Sequence, residues 1–337
     1  MNAQVPDSFT SRACPLCASS AKVRLLTLDA DAIFRSNWSY RPEAKALLEV
    51  DADDRYSVVE CSGCGFLYAD ALPDAPFLHR VYDQVIDGDA ARSNNLSPAQ
   101  IAPKMDNIAV LLRLAGTRAE PLRILDYGCG FGATLALLAA AGPAVQAIGY
   151  ETSATRLADL RARGLAATGD TAQWMGRGPF DIVVLDNVLE HVLSPRETVA
   201  SIARACAPDA LLFVSVPETN RERVLAQQRV ADAGGAIDMD INPWEHLNYF
   251  DTKHLDALLA AFAFGPLSAA RLPQAVDIGV RPCESAAGRM KNALASLPRL
   301  AAYAMHGDTL PRTTRRFYRL ARDAADSRRP ALASEHA

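Results

Sequence analysis

The sequence predicts an α/β protein built around a mostly parallel β-sheet with helices on both faces. Apolar runs typical of strands occur at Ile124, 144–150, 180–186 and 211–217. Segments of helical length, rich in Ala and Arg, separate these runs. Strands that alternate with helices form parallel sheets with two buried faces, and such strands are apolar throughout.

The composition limits the kinds of partner that the chain can have. Its 337 residues are 50% hydrophobic, and 39 acidic and 35 basic residues give a formal net charge of −4. Charges of both signs are mixed along the chain, which favours a small-molecule partner over nucleic acid or an acidic membrane surface. No apolar run in the sequence reaches the roughly 18 residues of a membrane span, and the polar start lacks a signal-peptide segment. We therefore expect a cytoplasmic protein with reduced cysteines.

Three regions are predicted along the chain. Residues 1–95 contain two cysteine pairs and scattered aromatic residues, which indicates a small irregular domain. A segment rich in Asp, Asn, Ser and Gly at 83–100 contains the boundary to a sheet domain over 100–282. Residues 283–337 are predicted to form a helical extension with a disordered tail.

Two helices follow from local patterns in the sheet domain. Residues 105–116 have apolar residues at helical spacing and end in Gly, which predicts a helix with a glycine C-cap. A second helix is predicted at 253–264, with Asp251 or Thr252 as its N-cap.

The patterns near the end of the chain are shorter. The apolar run 276–280 is typical of an edge strand of the same sheet. Residues 311–326 have the spacing of a basic amphipathic helix. An anionic partner could bind its arginines, but we interpret them as a solvated helix face.

The stretch 124-ILDYGCGFG-132 is the main candidate for a binding site. A buried strand ends here in the carboxylate of Asp126, and glycines follow at alternate positions. Ligands bind at the carboxyl ends of parallel strands, and glycine lets the backbone approach a ligand closely. The spacing is one residue shorter than the G-x-G-x-x-G turn of dinucleotide-binding proteins. A carboxylate would repel a pyrophosphate but is compatible with a sulfonium nucleoside that carries an ammonium group, which favours S-adenosylmethionine over NAD.

The pattern D-x-G-C-G-x-G, from Asp126 to Gly132, resembles the first motif of class I S-adenosylmethionine-dependent methyltransferases. That family has a seven-stranded Rossmann-like sheet that ends in one reversed strand, and the resemblance covers about residues 105–265. It implies cofactor contacts by Asp126, Tyr127, Gly128, Cys129, Gly130 and Gly132. It further implies that the ribose lies at Glu151 and Thr152, the adenine edge at Asp170 and Thr171, and the methionine portion and substrate at Asp186 and Asn187.

Two cysteine pairs, Cys14-x-x-Cys17 and Cys61-x-x-Cys64, predict a structural zinc site. Four thiolates complete a tetrahedral coordination shell around zinc. The 43 residues between the pairs exceed the spacing of a simple zinc ribbon, so we expect a small subdomain between them. A redox pair or unrelated buried cysteines are the alternatives. A four-cysteine module joined to a methyltransferase resembles the arrangement in several bacterial natural-product and nucleotide-sugar methyltransferases.

Methyl transfer from a sulfonium needs an in-line acceptor and a group that takes the acceptor's proton. Two Glu-His pairs are candidates, Glu190-His191 and Glu245-His246. The first resembles a segment of ubiquinone-biosynthesis O-methyltransferases that has been linked to a divalent cation, although Asn187 replaces one acid of that pattern. A catalytic role and a packing role are both open for His191.

The second pair lies in 243-PWEHLNYF-250, which is similar to the Y-x-E-H-x-x-Y-F stretch of deoxysugar C-methyltransferases, with Pro243 in place of the first Tyr. We predict that His246 is the base or orients the acceptor and that Glu245 fixes the tautomer of His246. Tyr249 is predicted to act beside them, and Tyr82 to cover the cofactor.

The sequence thus predicts a methyltransferase with an N-terminal zinc module that acts on an oxygen or nitrogen of a small metabolite. A nucleotide-sugar C-methyltransferase and an NAD-linked oxidoreductase are alternative enzymes. A zinc-ribbon binding protein with a vestigial Rossmann domain is the non-catalytic alternative, and it predicts a basic surface that the charge pattern does not indicate.

Overall fold

The computed structural model describes residues 8–51, 53–267, 309–310 and 313–321. The chain divides into two compact units. Unit 1 comprises Met1–Ser97, Asn187–Thr198 and Val216–Leu258, and unit 2 comprises Pro98–Asp186, Val199–Ser215 and Leu259–Ala337. The predicted strand at 276–280 lies outside the described residues.

The elements are numbered along the chain. The strands are β1 (Phe9–Ser11), β2 (Lys22–Leu28), β3 (Tyr56–Cys61), β4 (Leu67–Ala69), β5 (Ala71–Pro73), β6 (Leu122–Tyr127), β7 (Val145–Tyr150), β8 (Ala167–Thr168), β9 (Phe180–Asp186), β10 (Cys206–Pro217), β11 (Asn248–Tyr249), β12 (Phe264–Pro266), β13 (Thr309–Leu310) and β14 (Thr313–Leu320). The α-helices are α1 (Ala30–Ser36), α2 (Ala75–Arg80), α3 (Gly88–Asn95), α4 (Pro98–Ala115), α5 (Ala133–Ala139), α6 (Ala154–Ala162), α7 (Thr171–Met175), α8 (Pro195–Arg204), α9 (Arg221–Asp232) and α10 (Thr252–Ala260). Short 3-10 segments span Pro42–Leu48 and Met239–Ile241, and a π-helical turn spans Val81–Val85.

The sheet of unit 2 has the strand order β12-β14-β10-β9-β6-β7-β8, and β13 pairs with β14. The strands from β10 to β8 in this order pair in parallel, whereas β12 and β14 are antiparallel. A mostly parallel sheet was predicted, and the four predicted strands are present as β6, β7, β9 and β10. The chain builds the sheet outward from β6 in one direction and resumes at β9 on the other side of β6. The carboxyl ends of β6 and β9 therefore form a switch point, where open α/β sheets bind ligands.

A buried apolar cluster holds helix α4 to this sheet. It contains Leu111 of α4, Ile124 of β6, Ile182 of β9 and Phe317 of β14. Helix α4 starts earlier than predicted and ends before Gly116, whose φ of +71° fits the predicted glycine cap. The packing of α4 against the sheet fixes the position of its polar side chains relative to the ends of the strands.

The helix predicted over 311–326 is wrong for residues 313–320, which form strand β14. Thr314, Phe317, Tyr318 and Leu320 of this strand are buried. Thr, Phe and Tyr favour strands, and pairing with β12 satisfies backbone groups that a surface helix would satisfy internally. The arginine spacing suggested a helix. These residues form a strand instead, because the edge of the sheet at β12 is available for pairing.

Unit 1 contains more of the chain than the predicted domain of residues 1–95. The change of unit after Ser97 falls inside the predicted connection at 83–100. Later segments belong to unit 1 because they bond to it or to each other. Strand β11 adds to β4 in antiparallel fashion, and the N–H groups of Leu247 and Asn248 donate to the carbonyl of Glu190 at 2.7 and 3.0 Å. Both Glu-His pairs fall inside the range 100–282 that was predicted for the sheet domain, but they belong to unit 1.

The sheet of unit 1 has the order β11-β4-β3-β2 with antiparallel pairs. Strands β1 and β5 form a separate antiparallel pair. Trp244 is 0% exposed, and its ring lies 5.4 Å from Tyr56 and 5.7 Å from Phe77, so it packs in an aromatic core. In the described part of the chain, no helix has both the length and the apolar character needed to cross a membrane.

Helix α10 starts one residue before the predicted position. The Oδ1 atom of Asp251 accepts a hydrogen bond from the N–H of His254 at 2.8 Å, which identifies Asp251 as the N-cap.

Replacing Phe317 by Ala tests the position of β14. Phe317 is 4% exposed in the core of unit 2, and a Phe-to-Ala change at such a site destabilises a fold by about 3 kcal/mol or more. We expect this loss in urea unfolding of Phe317→Ala. Arg315→Ala, two residues away on the same strand, is the control and should change stability by less than about 0.5 kcal/mol. Equal losses in the two variants would contradict the strand.

Candidate functional site

The glycines after β6 have a left-handed backbone, with φ of +71° at Gly128, +53° at Gly130 and +71° at Gly132. Residues with a side chain rarely adopt these angles. A Cβ atom on Gly132 would lie 2.3 Å from Cδ2 of Leu160, so glycine is needed there for packing. A Cβ atom on Gly130 would meet no described atom within 4 Å. The space next to Gly130 is therefore open to a ligand.

The carboxylate of Glu151 is bonded to this turn. Glu151 follows β7 and is 5% exposed. Its Oε2 atom accepts from the N–H of Gly130 at 3.0 Å, and its Oε1 atom accepts from the N–H of Ser153 at 2.8 Å. The guanidinium of Arg156 lies 3.8 Å from Oε2. These contacts fix the carboxylate beside the open space and leave further lone pairs for a ligand's hydroxyls.

The carboxyl of Asp126, at the end of β6, is 3% exposed. Its Oδ2 atom has no hydrogen-bond partner in the described structure. Burial raises the pKa of Asp126 from 3.8 to about 7, and the charge of Asp186 adds to this, while Lys104 opposes it. A buried carboxyl oxygen without a partner indicates a site for a ligand's donor group.

Lys104 was missed by the sequence analysis. It lies on α4 and forms an ion pair with Oδ2 of Asp186, the last residue of β9. A lysine in a helix between apolar residues has no motif of its own, so only the packed structure shows this pair.

The other predicted cofactor residues of unit 2 lie around the same end of its sheet. Asn187 directly follows β9 in the chain and belongs to unit 1. The ring of Tyr127 packs 4.7 Å from that of Tyr150, and Cys129 is buried. Asp170 caps α7 by accepting from the N–H of Ala172 at 2.8 Å. Thr152 and Thr171 are exposed, and Asn187 has a φ of +56°.

The donor set fits a nucleoside with a cationic tail. Asp126 has an oxygen without a partner, Glu151 is held beside an open backbone turn, and both acids lie in unit 2. Acidic groups repel a phosphate but are compatible with ribose hydroxyls, an ammonium group and a sulfonium. Fold and site together define a Rossmann-like nucleoside-binding domain suited to S-adenosylmethionine.

Comparisons with known proteins agree with this class. Residues 101–268 match the protein family described as "Methyltransferase domain". The ubiquinone biosynthesis O-methyltransferase of Caulobacter sp. (strain K31) is 36% identical over 106 residues, which cover 29% of this chain and 42% of that relative. The trans-aconitate 2-methyltransferase of Methylobacterium nodulans is 30% identical over 139 residues, 40% of this chain and 52% of that relative. The matched part thus spans about half the length of these curated relatives.

Among solved structures, the plantazolicin methyltransferase BpumL in complex with SAH is 12% identical, with a TM-score of 0.47. The match covers 73% of this chain and 94% of that one. Residues 101–268 are therefore similar to a methyltransferase domain.

The two candidate histidines lie together in unit 1, with ring centroids 4.5 Å apart. Nδ1 of His246 lies 2.8 Å from the carbonyl oxygen of Asp240, and Nδ1 of His191 lies 2.9 Å from that of Glu245. Carbonyl oxygens only accept, so each Nδ1 carries a proton that it donates to the carbonyl. The hydroxyl of Tyr82 lies 3.1 Å from Nδ1 of His191. The structure thus places Tyr82 beside His191.

Glu245 does not fix the tautomer of His246, which corrects the sequence-based prediction. The carbonyl of Asp240 does so. The side chain of Glu245 is 8% exposed, and its Oε1 accepts from Asn37 at 2.8 Å, from Asn242 at 3.2 Å and from the hydroxyl of Tyr40. Consecutive side chains point in different directions, so neighbours in sequence need not touch. Glu245 instead joins separate segments of unit 1.

Tyr249, which was predicted to act beside His246, lines a cavity of unit 1. This cavity has a volume of about 220 Å³ and is also lined by Thr219, Arg221 and His254. The hydroxyl of Tyr249 is buried without a hydrogen-bond partner in the described structure, and burial raises its pKa.

The described residues contain two groups that could hold a metal ion. The ligand atoms of Glu190, His191 and His246 lie within 4.8 Å of one another. The second group is the set of predicted cysteines, Cys14, Cys17, Cys61 and Cys64, which also lie within 4.8 Å.

The cysteine group has the dimensions of a zinc site. The sulfur atoms of Cys14 and Cys64 are 3.7 Å apart and those of Cys17 and Cys61 are 3.4 Å apart. Tetrahedral zinc with bonds of about 2.3 Å places its sulfurs about 3.8 Å apart. The N–H of Gly63 points to the sulfur of Cys61 at 3.3 Å. The residues between the two pairs form β2, α1 and most of β3, which is the inserted subdomain that the spacing predicted.

Asp126→Asn should change how stability depends on pH. The folded pKa of about 7 lies above the ordinary value of 3.8, so the stabilising effect of the proton is present below pH ~4 and is lost as pH rises to ~7. We expect Asp126→Asn to be more stable than the wild type at pH 8, by up to about 4 kcal/mol, in urea unfolding without ligand. Asp170→Asn, at an exposed cap, is the control. A wild-type stability that does not fall relative to Asp126→Asn between pH 5 and pH 8 would contradict this interpretation.

Proposed function

We propose that the chain is an S-adenosylmethionine-dependent methyltransferase that transfers a methyl group to an oxygen or nitrogen of a small metabolite. One observation carries the proposal. The carboxylate of Glu151 is bonded to the N–H of Gly130 in an open turn, beside the buried carboxyl of Asp126, within a methyltransferase domain. The curated relatives include O-methyltransferases by name, which supports an oxygen acceptor.

The residues of unit 2 would hold the cofactor. Glu151 would accept bonds from the ribose hydroxyls, and Asp170 and Thr171 would lie at the adenine edge. Asp126 and Asp186 would face the cationic methionine portion. When bound, S-adenosylmethionine supplies a methyl group that its sulfonium has already activated.

The residues of unit 1 would handle the acceptor. His246 donates its Nδ1 proton to the carbonyl of Asp240, so its Nε2 would be the ring nitrogen that meets the acceptor. His246 would take the acceptor's proton or orient the acceptor. Glu245 would act as a positioning residue, because its hydrogen bonds hold the segment that carries His246.

We also propose structural zinc at the four cysteines, since their sulfur spacing matches a tetrahedral ion. A reducing compartment such as the cytoplasm would keep these thiols available. His254 would support the site from outside, because its Nε2 lies 3.0 Å from the carbonyl of Cys64 and its Nδ1 lies 2.7 Å from Asp251.

The first test is calorimetric binding of S-adenosylhomocysteine and NAD to the full chain. Binding of the former and none of the latter is expected. If a folded, zinc-loaded protein binds neither nucleoside, the enzyme proposal fails and the non-catalytic zinc-ribbon alternative stands. Acceptor screening by mass gain of 14 Da per methyl group, with O- or C-linkage assigned by NMR, would separate an O- or N-methyltransferase from a sugar C-methyltransferase.

His246→Ala should lower turnover by about 10²- to 10⁴-fold, because general-base assistance has this size. Its dissociation constant for S-adenosylhomocysteine should change by less than about threefold, since the histidine is assigned to the acceptor. His79→Ala is the control, because the His79 side chain is 62% exposed and its Nδ1 lies 2.8 Å from Oδ2 of Asp83 in unit 1. Adding EDTA to the zinc-loaded enzyme separates a free base from a cation held by Glu190, His191 and His246. Unchanged turnover in His246→Ala removes this residue from the mechanism.

Zinc content should fall from about one ion per chain to near zero in Cys61→Ser, measured by plasma mass spectrometry after purification without added metal. Cobalt substitution of the wild type should give the charge-transfer absorption of a cobalt–thiolate centre. Cys206→Ser, which removes a cysteine of unit 2, is the control and should keep both signals. A wild type that folds and contains no metal would refute the zinc proposal.

A further inference from the structure

The carbonyl of Asp240, which accepts the Nδ1 proton of His246 at 2.8 Å, lies in a short polar segment of unit 1. This segment is the 3-10 turn Met239–Ile241 together with Asp238, whose side chain caps the turn by accepting from the N–H of Asp240. The hydrogen bond fixes which nitrogen of His246 has the proton. The state of this ring therefore depends on whatever holds the peptide of residue 240.

Arg223 of helix α9 binds both acids of the segment. Its Nη2 atom lies 2.6 Å from Oδ2 of Asp238 and 2.6 Å from Oδ2 of Asp240, and its Nε atom lies 3.1 Å from Oδ2 of Asp238. Its Nη1 atom donates to the carbonyl of Glu218. The arginine side chain is partly buried, with 16% of its surface exposed. Because the guanidinium is a rigid planar fork, these bonds fix the directions as well as the distances of its partners.

A second side chain on the same face of α9 binds this segment. Gln227 follows Arg223 by four positions, and residues at this spacing are neighbours on a helix surface. Its Oε1 atom accepts from the N–H of Asp238 at 2.9 Å. The helix is attached to the sheet of unit 1, since Oε1 of Gln228 accepts from the N–H of Thr27 in β2 at 2.9 Å. Helix α9 thus supports the segment from an anchored position.

The two carboxylates depend on the arginine for their positions. Both Oδ2 atoms contact the same nitrogen of Arg223, so Asp238 and Asp240 lie close together. Like charges at such a separation repel each other unless a cation lies between them. Without Arg223, we expect the two acids to separate. This movement would turn the peptide of Asp240 and carry its carbonyl away from His246.

We propose that Arg223 is a positioning residue for His246. Through the two acids it holds the carbonyl of Asp240 against Nδ1 of His246, which keeps the ring proton on Nδ1. Nε2 is then the nitrogen that can take a proton from the acceptor. The inference rests on the proposed function for the role of His246, but the link from Arg223 to the ring can be measured without a substrate.

The alternative is an arginine that only stabilises the fold. Ile237 and Ile241 on either side of the segment are 3% and 0% exposed. If these apolar contacts alone keep the carbonyl of Asp240 in place, removal of Arg223 lowers the stability of the protein and leaves the tautomer of His246 unchanged. The tautomer therefore separates the two roles, whereas a loss of stability does not.

The experiment determines the tautomer of His246 by nitrogen-15 NMR of the imidazoles in the full, zinc-loaded chain. The chain has six histidines, so His246→Ala identifies the signals of this ring. At pH ~8, above the ordinary pKa of histidine, the wild type should have the proton on Nδ1. In Arg223→Met the ratio of the Nδ1–H to the Nε2–H tautomer should fall by about fivefold or more, the size of one lost hydrogen bond.

Two further variants test the chemistry of the arginine. Arg223→Lys keeps the charge but lacks the planar fork, so it should retain part of the wild-type ratio. Arg229→Met, at an exposed position of the same helix, is the matched control and should behave as the wild type. With an acceptor found by the mass-gain screen, kcat of Arg223→Met should fall by about tenfold or more, because Nε2 then has a proton and cannot act as a base.

The outcomes distinguish this inference from the proposed function. A wild type without the proton on Nδ1 overturns the inference, and so does an Arg223→Met variant that keeps the wild-type ratio. A shifted tautomer with unchanged kcat also overturns it, since the ring is then not held for turnover. If the wild type binds no S-adenosylhomocysteine, the proposed function fails, while the tautomer still decides whether Arg223 positions the ring. Thermal melting identifies any unfolded variant, and Arg223→Gln replaces Arg223→Met if the latter is unfolded.

Discussion

The burial of the Asp126 carboxyl is the constraint on which the binding end of unit 2 depends. Strand β6 must be apolar because it lies inside the sheet, yet it ends in an acid that is 3% exposed. Desolvation makes the charged form of this acid unfavourable, and Asp186 makes it more so. Lys104 offsets part of this effect in the free protein. The end of β6 therefore favours a cation as the partner of Asp126.

The glycine turn and Glu151 convert that electrostatic feature into a shaped site. The left-handed backbone at Gly130 directs its N–H to the carboxylate of Glu151. The turn and the end of β7 are thereby fixed to each other. A ligand hydroxyl can bind to a carboxylate that is already oriented, so little conformational freedom has to be lost on binding. The cofactor end of unit 2 is built mainly by backbone geometry.

Much of unit 2 could be predicted from the sequence because its signals are local. Apolar runs and the cap at Gly116 depend on residues close in the chain, and the order D-x-G-C-G-x-G specifies strand, acid and turn together. The pair of Lys104 with Asp186 could not be predicted, since 82 positions separate these residues. Strand β14 was predicted as a helix for the same kind of reason. Its state is decided by pairing with a distant strand, and its own residues fit either period.

The second Glu-His pair shows how far a local motif can mislead about roles. The sequence places Glu245 next to His246, and adjacency suggested a direct hydrogen bond between them. In the structure Glu245 binds Asn37, Tyr40 and Asn242, and so connects two parts of unit 1 that are about 200 positions apart in the chain.

This network determines where the backbone of residues 240–246 runs. The backbone in turn supplies the carbonyls that hold both histidines, from Asp240 to His246 and from Glu245 to His191. The glutamate therefore acts on both rings through the main chain. A mutation that breaks its hydrogen bonds would release two imidazoles at once, whereas a mutation of one histidine would leave the other in place. The physical link between the two residues of the motif is the fold of unit 1.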